Sequence, residues 1–149
     1  MSFQKAHQIS NELAEVVVQT QEYVALNSAG TKDFVFQPLF KNYRVLELGV
    51  VSINSTTCTG AKVKFGITGG GDELVTDADA FDFTTGAAGE VHSTASSFNF
   101  NSGGSALDAD GVPVLLKGQV LSFRSTGVGS AGTRVVAFAR LAPIIEFKD

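Results

Sequence analysis

Apolar side chains recur at every second position through the most hydrophobic segments of this chain, and almost nowhere at helical spacing. A period of two puts alternate residues on opposite faces of an extended strand, whereas a helix brings residues three and four apart onto one face. From Ala61 to Thr68, Val63, Phe65 and Ile67 fall on one side and Lys62 and Lys64 on the other. Gln119 to Thr126 separates Leu121 and Phe123 from Ser122 and Arg124. Thr133 to Leu141 separates Val135, Ala137, Ala139 and Leu141 from Val136 and Phe138. Only Ala6, Ile9 and Leu13 keep helix-like spacing, so the chain is expected to be all-β.

Further strands are expected where β-branched and aromatic residues alternate between turn residues. Leu13 to Leu26 carries Val16, Val18, Val24 and Leu26 on one side against Glu15, Gln19 and Gln21 on the other. Phe34-Val35-Phe36 is a short strand stopped before Pro38, and Pro113 to Leu116 is another. Tyr43 to Asn54 is the longest, with Val45, Val51 and Ile53 on one side and Leu46, Leu48 and Val50 on the other. The Gly-, Ser- and Asp-rich stretch from Gly69 to Gly111 reads as long loops around two weak strands, Ala80 to Thr84 and Ser97 to Phe100. About eight strands joined by turns point to an antiparallel β-sandwich of jelly-roll type, in one domain over 13–149 behind an N-terminal arm over 1–12.

The Tyr43 and Thr133 strands are apolar on both sides, although a strand in a sandwich needs only one buried face. Cover by a loop or by another subunit would account for the second face, and the reading favours a subunit. Leu46, Leu48, Val50, Val136 and Phe138 are the candidate interface residues.

With 44% hydrophobic and 17% charged residues the chain lies on the folding side of the disorder boundary. The first eight residues have no apolar core of a secretory signal, and no apolar run approaches the roughly 20 residues of a membrane span. Cys58 is the only cysteine, so no internal disulfide is possible, and a small residue at a strand end is its expected role. Phe65 to Leu116 holds eight acidic residues and no Lys or Arg, while the remainder has 11 basic and 7 acidic residues. That dipolar layout suits orientation on a partner and speaks against nucleic acid, which needs clustered cations.

Candidates for chemistry are few. His7 and His92 are the only histidines. A hydrolytic set built on His92, Ser93 and a nearby Asp lacks any nucleophile-elbow motif. Asp72, Glu73, Asp77, Asp79 and Asp82 do not follow the calcium-loop pattern and read as solvated acidic loops. Gly69-Gly70-Gly71-Asp72 is not followed by Lys-Ser/Thr and reads as a hairpin tip, not a phosphate cradle. Asn54-Ser55-Thr56 matches the glycosylation pattern by chance if the chain is not exported. Phe98 and Phe100 are the best aromatics for stacking on a sugar, but their alternation places them in a core. No metal, cofactor or catalytic residue is expected.

Three segments carry a resemblance: Val63-Lys64-Phe65-Gly66-Ile67-Thr68, Leu116-Lys117-Gly118-Gln119-Val120-Leu121-Ser122-Phe123, and Gly132-Thr133-Arg134-Val135-Val136-Ala137-Phe138. From about Val16 onward their order resembles the jelly-roll head decoration (cement) proteins of tailed bacteriophages. The resemblance implies a non-enzymatic homotrimer that sits on the outer surface of a phage head, binds the major capsid protein and stabilises the shell. It implies assembly in the host cytoplasm, with neither nucleic acid nor membrane as partner. Phe3, Gln4, Lys5 and Ile9 of the arm then become candidate capsid contacts. The alternative is a receptor- or carbohydrate-binding jelly-roll module of a phage fibre, spike or tail.

Overall fold

The computed structural model describes residues 15–20, 24–25, 29–33, 37–38, 40–54, 58–68, 71–76, 81–83, 88–96, 98–101, 103–126 and 133–144. Among them every regular element is a strand: β1 (Val16–Gln19), β2 (Val24–Ala25), β3 (Ala29–Asp33), β4 (Tyr43–Ser52), β5 (Cys58–Ala61), β6 (Val63–Gly66), β7 (Phe81–Phe83), β8 (Val91–Ser93), β9 (Val114–Leu115), β10 (Ser122–Thr126) and β11 (Arg134–Pro143). The arm residues Phe3, Gln4, Lys5 and Ile9 and the expected Phe34–Phe36 strand lie outside the described residues.

The strands form an antiparallel β-sandwich. One sheet has the order β1-β11-β4-β8, with β2 also paired to β11 and β9 to β4. The facing layer is the three-stranded sheet β3-β10-β6, and β5 pairs with β7 in a separate ribbon. All three contribute to a single core, which includes Val45, Leu48, Val50, Val135, Ala137, Ala139 and Leu141 from the large sheet. Val63, Phe65, Leu121 and Phe123 come from β6, β10 and the approach to β10, and Cys58, Ala61 and Phe83 from the ribbon. Phe65 and Phe123 are register partners on adjacent strands, with ring centroids 5.2 Å apart, and Phe98 stands 6.5 Å from Phe65. Tilted aromatic pairs of this kind add about 0.5–1.5 kcal/mol beyond the area they bury.

Alternation is obeyed where it is cleanest. Val135, Ala137, Ala139 and Leu141 are fully buried and the residues between them are not. In β4 it is interrupted. Arg140 pairs with Glu47 but Leu141 pairs with Val45, which leaves Leu46 as an extra residue, a β-bulge. The bulge reverses the phase of the strand. Val45, Leu48 and Val50 therefore all reach the core, and the expected division into Val45 with Val51 against Leu46 with Leu48 and Val50 does not hold. Leu48 and Val50, expected at a subunit interface, are core residues of this chain.

Other differences have local causes. The expected Leu13–Leu26 strand is divided: β1 and β2 both pair with β11, and Thr20 extends the first piece by exchanging bonds with Ala137 through its backbone amide and its Oγ1. Phe98 is buried and Phe100 packs on the core, yet neither lies in a strand. Apolar alternation there reports burial by a loop. Strand β3 has the unpromising sequence Ala-Gly-Thr-Lys-Asp and is held by its full register with β10.

Phe65 lies at the junction of both layers and is fully buried. Phe65→Ala is expected to cost about 3–5 kcal/mol of unfolding free energy. Urea denaturation followed by circular dichroism measures it; a loss below 1 kcal/mol would show that Phe65 is not central to the packing.

Candidate partner-binding face

One face of the six-stranded sheet turns away from the core, and its side chains form a grid set by strand register. Val17, Arg140 and Glu47 make one row, Gln19, Phe138, Gly49 and Ser93 the next, and Val136, Val51 and Val91 the third. Two of the candidate interface residues, Val136 and Phe138, are here and half-exposed, and Leu46 is half-buried at the bulge. Val17 is 64% exposed and Val91 47%. Val136, Val51 and Val91 thus make an apolar row across β11, β4 and β8 beside Phe138, while Val17 stands on β1 next to Arg140.

Gly49 explains how Phe138 fits. A Cβ at position 49 would stand 2.7 Å from Phe138 Cε1 and 2.6 Å from Ser93 Cβ. Only glycine leaves room for the ring to lie across β4, and the ring in turn covers the exposed backbone that glycine leaves.

A polar chain crosses the same sheet. Arg140 Nη1 contacts both carboxylate oxygens of Glu15, at 3.0 and 3.1 Å, and its Nε reaches Glu47 Oε2 at 3.3 Å. Glu47 Oε1 accepts a 2.6 Å bond from Ser93 Oγ, which itself accepts from the Ala95 amide at 3.1 Å. The hydrogen bond from Glu15, with smaller help from Glu47, holds the Arg140 pKa above the ordinary arginine value. Exposed ion pairs contribute little each, about 0–1 kcal/mol, so the effect of this chain is chiefly positional. It fixes side chains of β11, β4 and β8, and of Glu15 just before β1, across the outer face.

Glu73 and Asp82, expected to be solvated, are used to close loops, and so is Asp108. Glu73 accepts from the Thr68 hydroxyl at 2.6 Å and from the Ile67 amide at 3.1 Å. Burial pushes its carboxyl up, but the Thr68 hydroxyl and the backbone donors outweigh that and hold it below the usual 4.5. Asp108 accepts from the amides of Val112 and Asp110, both at 2.9 Å, and pairs with Arg44. The Val112 amide is the chief reason its carboxyl lies below the usual value. Asp82 accepts from the Gly60 amide at 2.6 Å, bridging the β5–β7 ribbon. Among the described residues no group of three or more His, Cys, Asp or Glu could hold a metal.

His92 and Ser93 are not brought together. His92 pairs in register with Val50, whose side chain enters the core, and its ring meets Phe83 edge-on at 4.9 Å. Its Nε2 lies 3.0 Å from Glu90 Oε1. Ser93 pairs with Gly49 on the other face. Phe98, the candidate sugar platform, is a core residue, and Cys58 is buried at the start of β5. No protein-family model, no curated protein and no solved structure matches the chain.

Because the Glu73 carboxyl is held below 4.5, its ionisation stabilises the fold above that pH, and this contribution is lost as pH falls through the lower folded-state value. A carbon-13 NMR titration should place its midpoint below 4.5, and Thr68→Val should raise it. A midpoint that ignores Thr68→Val would remove the hydroxyl as a cause.

Proposed function

We propose that this chain is a non-enzymatic virion structural protein: a capsid decoration or cement protein of jelly-roll type. It binds the outer surface of a tailed-phage head as a homotrimer and stabilises the shell by joining neighbouring capsid subunits. The observation that carries the reading is the outer face of the six-stranded sheet. Val51, Val91, Val136 and Phe138 present apolar side chains there, with Val17 exposed next to a fixed set of charges. A contiguous apolar patch with a polar border suits a protein partner, because burying it removes apolar area from water while the border sets orientation.

The family resemblance supplies the capsid, the trimer and the arm. In this reading the sheet face joins subunits, and the arm over residues 1–12, with Phe3, Gln4, Lys5 and Ile9, reaches the major capsid protein. Many modest contacts repeated over three subunits give firm attachment through multivalency.

Light scattering after size exclusion should give three times the chain mass. The trimer should saturate heads that lack their decoration protein and delay their rupture on heating. Deleting residues 1–12 should weaken head binding at least tenfold and leave the circular dichroism spectrum unchanged. A monomer at micromolar concentration, or full occupancy by the truncated protein, would refute the trimer or the arm respectively.

A further inference from the structure

A second apolar feature stands at the end of the sandwich where β4 begins. Phe40 is 86% exposed, the most exposed large hydrophobic side chain among the described residues. Its loop is firmly seated. The Gly118 amide donates to the Pro38 carbonyl at 2.7 Å, and the Lys117 amide donates to Asn42 Oδ1 at 3.0 Å. Gln37 Nε2 donates to the Gly118 carbonyl at 2.9 Å, and the Ile144 amide to the Asn42 carbonyl at 2.9 Å. The neighbouring loop displays Leu116 and Lys117, both exposed, and Lys41 follows Phe40 directly. An aromatic ring is therefore held out on a braced platform with two lysines in its two loops.

Little of the ring is covered by its own chain, so it does not rest on the apolar face described above. That face has the opposite charge where it is most exposed. Around Val17 stand Glu15 and Glu47 with the guanidinium of Arg140 between them, and one row further Arg44, opposite Ala142, is paired with Asp108 and Asp110, so carboxylates are in excess; Arg134 lies at the far end of β11. An aromatic flanked by lysines on one surface and an apolar patch flanked by carboxylates on another are complementary. Two different complementary patches on one chain give a head-to-tail contact, which closes into a ring when the rotation allows.

We propose that Phe40, with Leu116, Lys41 and Lys117, inserts into the Val17–Phe138 end of the sheet face of a second copy of this chain. Phe40 then serves as the buried aromatic anchor of the contact, and the lysines approach Glu15 and Glu47. The inference deepens the trimer reading and rests on it: the ring is built from three identical contacts of this kind.

The test uses the full chain. Phe40→Asp and Val17→Lys, both at exposed positions, should each lower the mass by light scattering from trimer to monomer at micromolar concentration, with unchanged circular dichroism spectra. The double variant Phe40→Cys/Val17→Cys, treated with a short bismaleimide, should give covalently linked trimers on a denaturing gel. Either cysteine alone should give none, and the native Cys58 is buried and does not compete. A Phe40→Asp protein that remains trimeric overturns the inference while leaving the trimer intact. Linked dimers from Val17→Cys alone would mean two faces stacked symmetrically, and also overturn it. A monomeric unmodified chain overturns the trimer reading and this contact together.

Discussion

From Tyr43 to Ser52 on one strand and from Pro143 back to Val135 on the other, β4 and β11 hydrogen-bond along almost their whole length. Every other strand of the six-stranded sheet is attached to one of these two. The ladder joins segments far apart in the chain, so its formation carries a large loop-closure cost, offset only when both strands bury their inner faces. Those faces supply Val45, Leu48, Val50, Val135, Ala137, Ala139 and Leu141 to the core. The bulge at Leu46 is what reconciles the two strands. Without the extra residue, Val45 and Leu48 would point to opposite sides, and one of them would leave the core for water.

The same bulge sets the outer surface. By shifting the phase of β4 it turns Glu47 outward opposite Arg140, and Gly49 outward opposite Phe138. Glu47 then links Arg140 on one side to Ser93 on the other. Gly49 gives the Phe138 ring a place to lie. A solvent-facing sheet surface ordinarily carries polar residues in alternation with the core. Here Glu15, Arg140, Glu47 and Ser93 are joined in one transverse chain, and Val17, Val136, Val51 and Val91 occupy outward positions beside it.

Much of this was legible in the sequence where one physical signal acted alone. In β11 a buried face and a more exposed face alternate without interruption, and the reading of Phe65, Phe123 and Leu141 as inward residues agrees with their burial. The β4 phase was not legible, because a bulge adds one residue without a marker, and Leu46 is as apolar as its neighbours. Strand β3 was missed because its stability lies in pairing with β10, and Ala-Gly-Thr-Lys-Asp has no strand preference of its own. Val136 and Phe138 could be read as a second apolar face from alternation alone. Phe40 could not be singled out, since twelve phenylalanines occur in the chain and nothing in its neighbours separates an exposed one from a buried one.

That exposed ring bears on symmetry. An apolar sheet face by itself favours stacking on its own copy, since the patch is its own complement and a two-fold axis closes the pair. Such a pair would conceal the face and leave Phe40 in water. A three-fold ring instead requires that each subunit offer two unlike surfaces, one to each neighbour. Lys41 and Lys117 at the Phe40 end, and Glu15 and Glu47 at the face, provide that unlikeness in charge. Stacked symmetrically about Val17, two faces would set two Glu15–Arg140–Glu47 groups, each with one carboxylate in excess, on the same side of the contact, whereas the head-to-tail arrangement sets that excess against lysines. In the proposed assembly the acidic half of the sheet face thus has two roles: it completes the Arg140 chain within the subunit and disfavours the two-fold alternative between subunits.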